Sequence, residues 1–240
     1  MDTLNEKCIF AVLNFKLKMS ATQKETVQPV KSGSFIQENT KSLGFIAGAI
    51  VVLIGIFIWY QNVYLVNRAE DAAKEMFKAE QFVGIDSLAN KAIAGEGGYP
   101  GLEKIAEEYK NTKSANLANL YLGGIYLRKG DYKNAIDALG KYSATGSPVA
   151  DPLALGMLGD AYSELKDFKQ AATYYKKAVD KSTNDFTSPM FLKKLGLVNE
   201  TLKDFKAAEE AYTKIKSQFP ASAEAQMIDS YIARANAQVK

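Results

Sequence analysis

The sequence predicts an all-α fold: one membrane-spanning helix near the N-terminus, followed by an α-solenoid of stacked helix pairs. Three observations predict it. No charged residue occurs between Lys41 and Arg68, and the centre of that interval is almost wholly apolar. From Ser114 onward the chain repeats itself with a period slightly longer than about 34 residues, the length of a two-helix unit. Within each copy, apolar residues recur at helical spacing and stop at short turns that end in aspartate.

The tail comes first. Residues 1–42 read as a cytoplasmic, disordered segment in which Met19 opens the polar stretch MSATQKETVQPVKSGS and stands as an alternative initiator. Cys8 is the one cysteine, so it forms no internal disulfide and reads as a free, inert thiol. The chain has no histidine, which removes the commonest general base, the commonest zinc ligand and any Cys/His nucleophilic pair. No catalytic, cofactor-binding or metal-ligating residue is assigned, and the chain is expected not to be an enzyme. The acidic run Glu103, Glu107 and Glu108 reads as a solvated helix face. Beyond Gln61 charges of both signs are interspersed in nearly equal number, so no basic face for nucleic acid is expected.

Residues 43–66 read as the anchor. The stretch from Leu43 to Tyr60, LGFIAGAIVVLIGIFIWY, would span about 27 Å as a helix, close to a hydrocarbon core of about 30 Å. Trp59, Tyr60 and Tyr64 sit where an aromatic belt meets the headgroups, and Gly44, Gly48 and Gly55 are tolerated in lipid. The run exceeds a signal-peptide core and no small-x-small cleavage site follows before Asn67, so the anchor is read as uncleaved. Charge does not orient it: Lys24, Lys31 and Lys41 on one side balance Arg68, Lys74 and Lys78 on the other.

Residues 67–113 read as membrane-proximal helices. A charged helix runs from about Arg68 to Phe82, GEGGYPG forms a loop, and YPGLEKIAEEYKNT resembles a degenerate second helix of a repeat. Residues 114–220 hold three repeats. Leu122-Gly123, Leu158-Gly159 and Leu195-Gly196 align; so do Asp131, Asp167 and Asp204, then Ala135, Ala171 and Ala208, then Leu139, Tyr175 and Tyr212. Each glycine should let the first helix approach the second closely, and each aspartate should cap the second. Tyr126 and Tyr162 fill the next turn of the first helix, and Pro220 closes the third copy. This matches the tetratricopeptide pattern L-G-x-x-Y…A-x-x-x-[FY]…P. The usual tryptophan at the start of the first helix is replaced by Asn119, Leu155 and Leu192, and Asn199 replaces the third tyrosine. Residues 221–240 supply a terminal cap through Ala225, Ile228, Ile232 and Ala235.

Two stretches, FIQENTKSLGFIAGAIVVLIGIFIWYQN and KIAEEYKNTKSANLANLYLG, carry a further likeness. With the layout of anchor and repeats, the chain resembles the YfgM-like family of bacterial inner-membrane proteins, the ancillary subunits of the Sec translocon. The resemblance implies a cytoplasmic N-terminus, periplasmic repeats, partners among translocon subunits and a periplasmic chaperone, and chaperone-like handling of exported clients.

The anchor, the repeats and the resemblance together give the expectation of a protein-binding scaffold at the membrane. Its concave face should carry Leu117, Leu120 and Arg128, then Leu153, Asp160 and Glu164, then Met190, Lys193 and Leu197, positions one turn off the packing face. Two other readings stay open: an envelope assembly or oligomerisation scaffold, and a cytosol-facing receptor that clamps a C-terminal carboxylate. The clamp needs Lys and Asn at fixed positions of the first helices, and only Lys194 fits.

Overall fold

The computed structural model describes residues 39–239. The readings for residues 1–38, Cys8 and the Met19 start among them, lie outside the described residues. The chain divides into two compact units, Met1–Ile58 and Trp59–Lys240.

Helix α1 covers Thr40–Trp59, all but its last residue in the first unit, and none of its side chains is buried in the protein. It is long and apolar enough to cross a membrane. A helix satisfies its own backbone hydrogen bonds, which hydrocarbon demands of any spanning segment.

The second unit opens on a π-helical turn, Tyr60–Tyr64, and continues as α2, Leu65–Val83. The rings of Tyr60 and Tyr64 stack at 5.3 Å. The Arg68 guanidinium lies 5.8 Å from the Tyr64 ring and 5.4 Å from that of Tyr109, close enough for cation–π attraction to both. Burial first, and then the neighbouring Glu75, push the Tyr109 phenol up to about 12.

A 3-10 turn, Asp86–Leu88, and a short helix α3, Ala89–Ala94, lead into a hairpin of β1, Gly95–Glu96, against β2, Tyr99–Pro100. The sequence reading expects only a loop in GEGGYPG. The hairpin forms because Gly97 and Gly98, at φ 60° and 85°, supply the two left-handed residues that a two-residue turn requires. Gly101 then lets the returning chain touch helix α3, where a Cβ would sit 2.1 Å from the Ile93 carbonyl oxygen.

Helix α4, Leu102–Glu108, precedes three helix pairs: α5, Lys113–Arg128, with α6, Tyr132–Lys141; α7, Ala150–Glu164, with α8, Phe168–Lys181; and α9, Thr187–Thr201, with α10, Phe205–Gln218. The first helix of each pair is called A and the second B. A Cβ on Gly123 would lie 2.3 Å from Leu139 Cγ, one on Gly159 2.6 Å from Tyr175 Cδ1, and one on Gly196 2.2 Å from Tyr212 Cε1. The three aligned glycines therefore face the three aligned large residues, one contact per repeat.

The turns between A and B are equally regular. Gly130, Lys166 and Lys203 all take positive φ, and the amides of Asp131, Asp167 and Asp204 reach back to the carbonyls of Tyr126, Tyr162 and Asn199. That pairing closes the A helix in a Schellman turn, and each aspartate carboxylate then caps helix B by accepting from the amide three residues on. Between repeats one and two, Asp151 is buried and accepts from Tyr142, Thr145 and Gly146. Burial alone would raise its carboxyl; the bonds from Thr145, Tyr142 and Gly146 hold it below the usual range.

A 3-10 turn, Ala223–Met227, and helix α11, Ile228–Asn236, cover the end of the last repeat with Ile228 and Ala235 buried. Arg234 of this cap donates two hydrogen bonds to Glu200 of α9.

Two consequences are testable on the full chain in detergent by urea unfolding. Gly159→Ala and Gly196→Ala should each lose about 1–3 kcal/mol, since rings must move to admit the methyl, whereas Gly124→Ala, whose Cβ would meet Met157 Sδ at 3.6 Å and Arg128 Nη1 at 3.7 Å, both ordinary contacts, should be neutral or gain up to about 1 kcal/mol. Because the Tyr109 phenol is raised in the folded state, its contribution is full below its unfolded value of about 10 and is lost as pH rises toward about 12. Tyr109→Phe should flatten part of the decline in unfolding midpoint over that window.

Candidate functional site

Stacking the three A helices creates one groove along the inner layer. Helices α7 and α9 meet closely in their N-terminal halves, where a Cβ on Gly156 would lie 1.9 Å from the Phe191 ring. Toward their C-terminal halves they carry longer, polar side chains and the surface opens. The resulting groove has a volume of about 460 Å³.

This geometry sorts the nine positions expected on the concave face. Arg128, Asp160, Glu164 and Leu197 line the groove together. Leu120 is instead buried with Leu139, Ala154 and Leu158, and Leu117 packs partly buried against the same cluster. Leu153 and Met190 pack against the core around Tyr175 and Phe191. Lys193 lies 5.2 Å over the Tyr231 ring of the cap. The stripe that the sequence defines is thus one continuous face of each A helix, but its first half is consumed by packing between neighbouring A helices and only its second half meets solvent.

At the floor of the groove Asp160 is the organising group. Its Oδ1 accepts from the Tyr175 hydroxyl at 2.7 Å and from Lys194 Nζ at 2.7 Å, and its Oδ2 accepts from the same ammonium at 2.8 Å. Tyr175 comes from the B helix of the same repeat and Lys194 from the A helix of the next, so one carboxylate joins three helices. Burial, and then Asp160, push the Tyr175 phenol far above its ordinary value. At one lip Arg128 donates to Asp86 Oδ1 at 3.0 Å and to the Val83 carbonyl at 2.7 Å, fastening α5 to the end of α2. Tyr132 donates to Glu164 at 3.3 Å on the other side. Leu197 remains 39% exposed and gives the groove an open apolar contact.

The sequence reading omitted Lys194, Tyr175, Tyr132 and Ser163 from this face. Lys194 was legible: aligned copies place a lysine immediately before the third Leu-Gly and an aspartate immediately after the second. Among the described residues no group of three or more His, Cys, Asp or Glu side chains converges as a metal site would require.

The family model for the tetratricopeptide repeat matches residues 102–151 and 157–223. The chain carries tetratricopeptide repeats. The match takes in α4, ahead of the three repeats, and the helices of the pairs apart from residues 152–156 within α7. No curated protein matches the chain. Tetratricopeptide repeats mediate contacts between proteins, and the groove of this one offers apolar area with Asp160 and Arg128 each paired from within.

Asp160 and Lys194 are each about one-third exposed, so solvent weakens their attraction. Asp160→Asn and Lys194→Met should each cost about 1 kcal/mol, and the double variant should cost less than their sum by about 0.5–1 kcal/mol. Urea unfolding of the four proteins measures that coupling.

Proposed function

We propose that this protein is a membrane-anchored scaffold that binds polypeptide segments in the groove over Asp160 and Lys194 and carries out no catalytic step. One observation carries the reading: a solvent-open groove of about 460 Å³ runs along tandem repeats in a chain with a helix long and apolar enough to span a membrane. Asp160 is matched by Lys194 and Arg128 by Asp86, which leaves Glu164 as the one lining charge without an ion pair among the described residues, so the groove selects only weakly by net charge. Leu127, Leu197 and Val198 favour segments with exposed apolar side chains, the property of chains that have not yet folded.

The resemblance of the anchor and of the stretch from Lys104 to Gly123 supports a finer reading. In it the N-terminus is cytoplasmic, the repeats are periplasmic at the bacterial inner membrane, and the partners are translocon subunits, a periplasmic chaperone and exported clients. The carboxylate-clamp receptor is disfavoured because Lys194, the one lysine at a clamp position, is already engaged by Asp160.

A photocrosslinking residue placed at Ser163, inside the groove, tests the binding site in living cells. Crosslinks to exported chains, weakened severalfold by Leu197→Asp, are expected. In parallel, protease added to intact spheroplasts should digest the repeats while a cytoplasmic control survives. Repeats protected until lysis would exclude the periplasmic reading, and a groove that crosslinks to nothing would exclude the scaffold.

A further inference from the structure

The inner groove has one charge left over. Asp160 is paired with Lys194 and Arg128 with Asp86, but no ion pair reaches Glu164 among the described residues. Neither cation of the groove is free to swing across to it. The Arg128 guanidinium is held by three bonds, to Asp86 and to the Val83 and Gly124 carbonyls, and Lys194 Nζ is held by both oxygens of Asp160. Lys166, two residues further along the chain in the left-handed turn, makes no ion pair among the described residues.

Glu164 is also held in place. Tyr132, at the start of α6, donates its hydroxyl to Glu164 Oε2 at 3.3 Å, and both residues line the groove. The Tyr132 ring packs partly buried against the core of the first repeat, which fixes it beside the carboxylate. Glu164 Oε1 takes no hydrogen bond from the protein among the described residues. The Tyr175 phenol at the groove floor senses the same charge: burial first, then Asp160, then Glu164 raise it. The groove therefore presents a fixed carboxylate next to an aromatic ring, with the apolar Leu127, Leu197 and Val198 in the same hollow.

We propose that the polypeptide segments bound in this groove carry an arginine among apolar residues, its guanidinium seated on Glu164 beside the Tyr132 ring. This rests on the inner-groove reading and names the kind of segment the groove takes. A guanidinium complements both groups at once: its planar fork pairs with a carboxylate, and its face stacks on an aromatic ring. A lysine ammonium pairs only as a point charge and forfeits the stacking, so it is the second choice. A glutamate or aspartate at the same place meets Glu164 and is disfavoured. The volume of about 460 Å³ lies toward the small end of the roughly 300–1,000 Å³ of ligand sites, which admits a few side chains and so a short motif.

The test uses the full chain in zwitterionic nanodiscs and two fluorescein-labelled peptides of about ten residues, read by anisotropy. One carries a single arginine between leucine and phenylalanine; the other has glutamine in its place. At about 50 mM salt the arginine peptide should bind about three- to fivefold tighter, the reach of one exposed ion pair with an aromatic contact, and the margin should shrink at about 300 mM. Glu164→Gln, an exposed change that should leave the urea midpoint in place, should bring the arginine peptide down to the level of the glutamine peptide and leave the latter unchanged. Leu197→Ser should weaken both peptides alike. Equal binding of the two peptides by the unaltered chain, or an arginine preference that survives Glu164→Gln, would overturn the assignment and leave the inner-groove reading standing. Failure of both peptides to bind would overturn the two together.

Discussion

The contact between a helix-A glycine and a helix-B side chain is the constraint on which the rest of the repeat region depends. Gly123, Gly159 and Gly196 have no Cβ because Leu139, Tyr175 and Tyr212 occupy that volume. Each pair is therefore locked at one separation and one rotation. Identical pairs stacked through the same interface must generate a regular superhelix, since each unit touches mainly its neighbours. The same contact also has a chemical outcome: packed against Gly159, the Tyr175 ring delivers its hydroxyl to Asp160. Packing in one repeat thus sets the polar floor of the groove between two.

The turns enforce the same regularity from the backbone. Lys166 and Lys203 hold a left-handed conformation that costs a side-chain-bearing residue about 1 kcal/mol relative to glycine. That strain is offset by a Schellman closure of helix A and an aspartate cap on helix B, formed within five residues of chain. Asp151 is the inter-repeat counterpart, a buried carboxylate whose desolvation is compensated by hydrogen bonds from the loop it organises. At the C-terminal end of the stack, α11 replaces the missing neighbour, with Arg234 against Glu200 repeating the cation-to-carboxylate link that Lys194 makes to Asp160.

Much of this was legible because it is periodic. Leucine-glycine, the turn aspartate, the alanine and the large residue recur in register, and each denotes a contact whose meaning is purely steric or hydrogen-bonding. What periodicity could not show was where one helical stripe changes role along its length. Leu120 and Leu117 lie on the same stripe of α5 as Arg128, yet they pack against Ala154 and Leu158 of α7, as Gly156 of α7 packs against Phe191 of α9, so the stripe's first half becomes core and its second half groove. Helix α3 and the hairpin after it were missed for a different reason. They are too short to show a period, and the turn depends on two adjacent glycines that also suit a loop.

The balance of charge in the inner groove bears on how such a scaffold would achieve affinity. With Asp160 and Arg128 satisfied from within, a bound segment gains little from long-range attraction and depends on short-range contact with Leu127, Leu197 and Val198. A few apolar side chains on a flexible segment must also overcome the entropy of ordering it, which leaves weak binding. A membrane tether changes that arithmetic without altering a contact. Confining groove and client near one membrane raises their effective concentration to about the millimolar range, where weak and readily reversed binding is sufficient. Low charge selectivity then serves the proposed function, because a site that must accept many unfolded segments and release each of them is better specified by location than by affinity.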